Sequence, residues 1–195
     1  MAGHETSGHA ISFAFAALAV YPEIQQKALE EVRAVMSEGQ LPVGRTSIHS
    51  LHSLSNQGVW QSYSDVARFA YIQAIFYEAL RMFPPVIHIP KESAFDTTLR
   101  TKNKNGETVV IPCPKGTQIN MSSLGVHFNR KLVQHSYNIG TKGGFTAKYW
   151  HDPKTFNPDR FLGDWNRDAF IPFSAGARSC IGRRYANILF HLKRE

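Results

Sequence analysis

Cys180 lies in the stretch FIPFSAGARSCIGRRYA, residues 170–186, between Gly176 and Gly182 and close to Arg178, Arg183 and Arg184. A thiolate is a nucleophile and a metal ligand where a thiol is neither. Three features of the stretch favour the thiolate. The cysteine is expected at the N-terminus of a helix, whose amides and dipole stabilise an anion. The arginines add positive charge. The glycines let backbone N–H groups approach the sulfur without a Cβ in the way. A free cysteine is ordinarily a buried small hydrophobe, but the spacing here goes beyond a lone thiol. Phe173, Gly176, Arg178, Cys180 and Gly182 spell FxxGxRxCxG. Average residue usage gives that match a frequency on the order of 10⁻⁷ per start position.

Three other stretches carry groups that could act together. In EALR, Glu78 and Arg81 stand at i, i+3 on a predicted helix and so share one face. On a surface such a pair contributes little. FNPDRF adds a second arginine, Arg160. AGHETS, near the start, sets the acid Glu5 beside the hydroxyl of Thr6, a pairing suited to proton delivery or to helix capping. In VIHIPKES, Lys91 is a candidate cation for an anionic ligand, and His88 reads as a wall or surface residue.

The elements that must position these groups are mostly helices. Residues 4–20 read as a helix apolar on nearly all sides, hence central. Pro22 suits the first position of a second helix, with Ile24, Ala28, Val32 and Val35 at helical spacing and Gly39 as its stop. Residues 39–63 read as a loop with a short helix. A third helix is expected from a Ser64 or Asp65 cap to Pro84-Pro85, with Phe69, Ile72, Ile75, Phe76, Ala79 and Leu80 as its apolar side. Short strands are expected at Val86–Ile89, Val109–Ile111 and Gln118–Met121, with turns at Lys102–Gly106 and Pro114–Gly116. From 129 to about 175 the pattern is irregular, and a last helix is expected from near Cys180 to the end.

Composition narrows the function classes. The chain has 195 residues, 43% of them hydrophobic, with two cysteines far apart and no CxxC pair, which excludes a zinc ribbon or dithiol site. The formal charge of +7 is scattered and comes with no nucleic-acid-reading motif. The longest apolar run, Ala10–Val20, is too short to cross a bilayer, which takes about 20 residues.

FxxGxRxCxG, followed back to FNPDRF, EALR just before Pro84-Pro85, and AGHETS in that order, resembles the cytochrome P450 family, the haem-thiolate monooxygenases. The likeness is to the C-terminal part of a eukaryotic, fungal-like member. It implies a fold that is mainly α with small β elements, residues 1–195 forming one partial cytochrome P450 domain. It implies haem b with Cys180 as its axial ligand, Phe173 packed beside the sulfur, Gly176 and Gly182 shaping the loop, and Arg178 and Lys91 on the propionates. Glu78, Arg81 and Arg160 become a buried structural cluster. Thr6 becomes the hydrogen-bond partner of the oxygen being activated, and Glu5 a proton relay. The implied activity inserts one oxygen atom of O2 into a small hydrophobic organic substrate, with electrons from an NADPH-dependent reductase or another donor that docks near Arg183 and Arg184. The full-length family is placed at the endoplasmic reticulum membrane; this chain shows no anchor of its own. The chief alternative is a truncated, non-catalytic haem-binding remnant. An isomerase or dehydratase on the same haem is disfavoured by Glu5-Thr6, and a basic binding module without haem stands further off. The stretch RKLVQHSYNIGTKGGFTA, residues 130–147, departs from the family pattern between Asn129 and KYWHDP and reads as a translated short intron.

Overall fold

A computed structural model describes residues 2–37, 68–103, 105–128 and 149–192. The expected loop at 39–63, the Ser64 or Asp65 cap and the 130–147 stretch lie outside these. The fold is mainly helical with two small antiparallel sheets: α1 Ala2–Val20, α2 Pro22–Ser37, α3 Ala70–Met82, β1 His88–Glu92, β2 Thr97–Lys102, β3 Thr108–Cys113, β4 Gln118–Ser122, α4 Ser123–His127 and α5 Arg183–Leu192. Short 3-10 turns at Pro158–Phe161, Arg167–Ala169 and Gly176–Arg178 punctuate the segment before α5.

The helix buried on nearly all sides is α3, not α1. In α3, Tyr71, Ile72, Ala74, Ile75, Phe76, Glu78, Ala79, Leu80 and Arg81 are all buried. In α1, burial follows one stripe, Ser7, Ala10, Ile11, Ala14 and Ala17, while Phe13 and Phe15 are exposed. The stripe is built of small residues, so α1 can lie close against α3. Tyr21 separates α1 from α2, whose first residue is Pro22. Its missing N–H costs nothing at that position. From α2, the Glu31 carboxylate accepts from the amides of Tyr71 and Ile72 at 2.7 and 3.0 Å, capping α3 from outside its own chain segment.

The strands differ in part from expectation. β1 begins at His88 rather than Val86 and pairs with β4, His88 opposite Ser122 and Glu92 opposite Gln118. β2, which pairs with β3 in a hairpin from Thr97–Cys113 to Lys102–Thr108, was not expected. TTLRTK is exposed along its whole length, so it carries no in-out hydrophobic alternation to read. α5 starts at Arg183, three residues beyond Cys180: the Cys180 carbonyl accepts from the Arg183 amide at 3.4 Å, and the Gly182 carbonyl from Ala186 at 2.9 Å.

Two buried polar groups tie α3 to the chain beyond it. Glu78 is fully buried and receives Arg81 Nε at 2.6 Å and Nη2 at 2.8 Å, Arg160 Nε at 3.2 Å, and the amide of Asn157 at 2.9 Å. Arg160 also donates to the carbonyls of His151, Asp152 and Thr155. The Arg81 guanidinium lies over the rings of Phe128 and Trp150. His127, also fully buried, has Nδ1 2.9 Å from the Arg81 carbonyl, so Nδ1 carries the proton and donates; Nε2 therefore accepts from the Ile171 amide at 3.1 Å. Both nitrogens are committed only if the ring is neutral. Burial lowers the His127 pKa to about 4, against the pull of the Arg81 carbonyl bond and with help from the Arg81 charge. An aromatic cluster of Tyr77, Trp150, Phe161, Trp165 and Phe170 fills the space between α3 and residues 149–170, with Phe161 and Trp165 5.0 Å apart and edge-on.

These arrangements give two predictions. Glu78→Ala strands Arg81 as a buried charge and is expected to destabilise the chain by about 3–5 kcal/mol in urea unfolding. Lys27→Ala, which breaks the half-exposed Lys27–Asp159 pair, is expected to cost less than about 1 kcal/mol; equal costs would remove the argument. For His127, the unfolded ring takes a proton below about 6.5 that the folded ring refuses until about 4. Stability from this group is therefore present above pH 6.5 and falls with pH through that window, by about 3 kcal/mol at full extent. His127→Phe is expected to be less stable at pH 8 but to show a flatter fall between pH 6.5 and 4.

Candidate functional site

Cys180 and Thr6, from opposite ends of the chain, line one cavity of about 700 Å3. Gly3, Thr6, Ser7 and Ala10 of α1 line it together with Phe76 and Leu80 of α3, Lys91 and Glu92 of β1, and Tyr185 and Ala186 of α5. The cysteine loop adds Phe173, Arg178, Cys180, Ile181 and Gly182. The cavity volume falls in the range of cofactor sites.

The loop is held by its own backbone. The Cys180 amide donates to the Phe173 carbonyl at 2.8 Å, and the Ser179 amide to the Gly176 carbonyl at 3.0 Å. Gly176 has φ +74, a left-handed conformation in which a side chain is strained, although a Cβ there would meet nothing within 4 Å. Conformation, not space, calls for glycine at that position. At Gly182 a Cβ would lie 3.8 Å from Cys180 Sγ, an ordinary contact. Cys180 is exposed and unpaired by any disulfide. Arg183 lies over the Phe173 ring at 5.7 Å.

Thr6, Lys91, Phe173, Arg178, Cys180 and Gly182 meet at this cavity. Glu5 and Gly176 do not line it; Glu5 is exposed one residue from Thr6. His88 is exposed on β1 and is also outside the lining. Glu78, Arg81 and Arg160 gather elsewhere, around one carboxylate. Three groups that matter were not singled out by the sequence. His127 is bonded to Ile171, two residues before Phe173. Glu31 caps α3 through a contact across 40 residues. Ser174 lines the cavity with a buried Oγ that has no hydrogen-bond partner among the described residues. No pattern of residue types marks any of the three.

The donor set of the lining suits an anionic group that brings a metal: Cys180 supplies a sulfur, and Lys91 and Arg178 supply two cations. Among the described residues no three His, Cys, Asp or Glu side chains gather as a metal site. Among the same residues no helix is long and apolar enough to cross a membrane.

Comparison with known proteins agrees on one family. The cytochrome P450 family model matches residues 1–135 and 145–192, leaving out 136–144 within the 130–147 stretch. Cytochrome P450 monooxygenase 124 of Postia placenta is 40% identical over 186 residues, covering 95% of this chain and 29% of its own length. Cytochrome P450 4A10 of Rattus norvegicus is 32% identical, covering 94% of this chain and 28% of its own length. Cytochrome P450 4g15 of Drosophila melanogaster is 28% identical, with 94% and 25% covered. The chain thus spans under a third of the length of these relatives, and with a family match over most of its residues it belongs to the cytochrome P450 family.

Proposed function

We propose that the cavity is a haem site and that the parent activity is haem-thiolate monooxygenation, with Cys180 as the axial ligand. The observation that carries this reading is that Thr6 and Cys180 line one cavity, with Lys91 and Arg178 on the same lining. Bound haem would supply the chemistry of reductive O–O cleavage, favoured by thiolate ligation. The chain's own residues hold and orient it. Phe173 packs beside the sulfur, and the Phe173 carbonyl fixes the Cys180 amide. Arg178 and Lys91 pair with carboxylates. Thr6, on the same cavity lining as Cys180, would supply a hydroxyl for proton delivery, and the exposed Glu5 next to it would feed protons inward. Glu78, Arg81 and Arg160 serve architecture. The substrate is a small hydrophobic organic molecule, and an electron donor with acidic groups docks near the exposed Arg183 and Arg184. For the whole protein, the site of action is the endoplasmic reticulum membrane, by analogy with full-length members.

A second reading, haem binding without turnover, draws on the surface. Phe13, Phe15 and Val20 of α1, outside the cavity lining, are exposed, an apolar face that the described residues leave uncovered. The 130–147 stretch is proposed, as before, to be a translated intron; ordinary coding reads through it in transcripts would remove that idea.

The experiment is to add haem to the 195-residue chain, reduce it, and record the carbon monoxide difference spectrum. A Soret band at the thiolate-ligated position is expected, and it should be lost in Cys180→Ser. A spectrum unchanged by that substitution would refute the ligand assignment. Retained haem binding with no substrate oxidation, even with a reductase present, would favour the second reading.

A further inference from the structure

His127 does not line the cavity, yet it is bonded to the segment that leads into the cysteine loop. Ala169, Phe170 and Ile171 are buried, and each is held by a side chain from elsewhere. The Ala169 carbonyl accepts from Trp150 Nε1 at 3.2 Å, the Phe170 ring stacks on the His127 ring with centroids 5.5 Å apart, and the Ile171 amide donates to His127 Nε2 at 3.1 Å. The last of these stands nearest the cysteine. Pro172, with its fixed φ, separates Ile171 from Phe173, so little slack lies between the Ile171 amide and the Phe173 carbonyl. That carbonyl accepts from the Cys180 amide at 2.8 Å, and the Ile171 carbonyl accepts from the Ser174 amide at 3.1 Å, closing the turn between them.

The demand on the side chain is specific. It donates to the Arg81 carbonyl at 2.9 Å on one side and accepts from the Ile171 amide on the other. A neutral imidazole carries a donor and an acceptor at two corners of one rigid ring. His127 is fully buried, so a partner lost here is not replaced by bulk water. We propose that His127 is the positioning residue of the axial ligand: its Nε2 holds the Ile171 amide, and through it the turn that presents Cys180 to the haem. This rests on the reading of the cavity as a haem site.

The test compares His127→Asn with His127→Gln in the 195-residue chain. Asparagine places an amide nitrogen where Nδ1 stands and can still donate to the Arg81 carbonyl, but it does not reach Ile171. Glutamine places an oxygen where Nε2 stands and can still accept from Ile171, without the Arg81 bond. Each variant gives up one of the two bonds, so similar losses of Tm are expected, while the cysteine should respond only to the first. In the free chain, hydrogen exchange of the Cys180 amide is expected to be about five- to tenfold faster in His127→Asn and at the parent rate in His127→Gln. After haemin uptake, reduction and addition of carbon monoxide, the ratio of thiol-ligated to thiolate-ligated Soret absorbance is expected to rise about five- to tenfold in His127→Asn and to hold in His127→Gln. Ile24→Ala, a truncation of a buried residue on α2, is expected to lower Tm and move neither readout. Parent-like Cys180 exchange in His127→Asn would overturn the inference. So would both readouts moving in step with Tm in all three variants, which would leave His127 a residue of the core alone. If His127→Asn does not fold, His127→Gln decides by itself, and Cys180 exchange displaced from the parent rate there overturns the inference. If the parent takes up no haemin, the reading of the cavity falls and this inference with it; if the parent gives the thiolate-ligated band and His127→Asn matches it, only the inference falls.

Discussion

The Glu78 carboxylate is the point on which the arrangement turns. It is buried in the middle of the most buried helix and satisfied from three directions: Arg81 one turn on, Arg160, and the backbone amide of Asn157. An ionised carboxylate with no exposure is tolerable only when its lone pairs are taken up this way. The segment from 151 to 160 has little regular structure of its own, so something else must fix its path. Arg160 does so by spending its remaining donors on the carbonyls of His151, Asp152 and Thr155. One side chain thereby converts an irregular segment into a shaped one, and the aromatic residues that follow pack on α3 from a defined starting point.

From that point a second strut leads to the cysteine. The carbonyl of Arg81 receives His127 Nδ1, and His127 Nε2 receives the Ile171 amide. The Ile171 carbonyl receives Ser174, and the Phe173 carbonyl receives Cys180. Every link is a hydrogen bond between groups that are buried or part of a tight turn. The cysteine is therefore tied to α3 through His127, as well as to the start of α5, where the Arg183 amide donates to the Cys180 carbonyl at 3.4 Å. α5 begins only after Gly182, and the cysteine stands upstream of its first turn.

Much of this was legible because it rests on residue types at fixed spacing. FxxGxRxCxG, ExxR and the second arginine name side chains whose chemistry is specific, and the apolar face of α3 follows a 3.6-residue period. Of the cysteine-loop glycines, only Gly176 is required by its backbone. What escaped the sequence has a common physical cause. His127 and Glu31 act through backbone groups of distant segments, and any residue has those groups. Strand β2 is solvated on both faces, so nothing alternates. The centrality assigned to α1 followed its apolar composition, but composition cannot say how much partner surface is at hand; the described residues cover one stripe and leave Phe15 half exposed, with Phe13 covered in part by Phe83. Ser174 escaped because a left-handed serine is a property of the fold, not of the letter.

The two ends of α1 then do different work. Toward its N-terminus, Gly3, Thr6, Ser7 and Ala10 are small or hydroxylic and open onto the cavity. Toward its C-terminus, Ala14 and Ala17 lie in the core, and Phe13 stacks on Phe83, just past the end of α3, with ring centroids 4.9 Å apart. Bulk at the first end would fill the cavity that Cys180 also lines; bulk at the second anchors the helix against α3. Because the same helix is pinned at one end and hollowed at the other, Thr6 is carried to the cavity on a rigid element rather than on a loop. Cys180, by contrast, reaches it on a turn held by the chain of hydrogen bonds from α3. The carriers of Thr6 and Cys180 therefore both trace back to one helix, α3, whose Phe76 and Leu80 also line the cavity: α1 through packed small side chains, and the cysteine loop through His127.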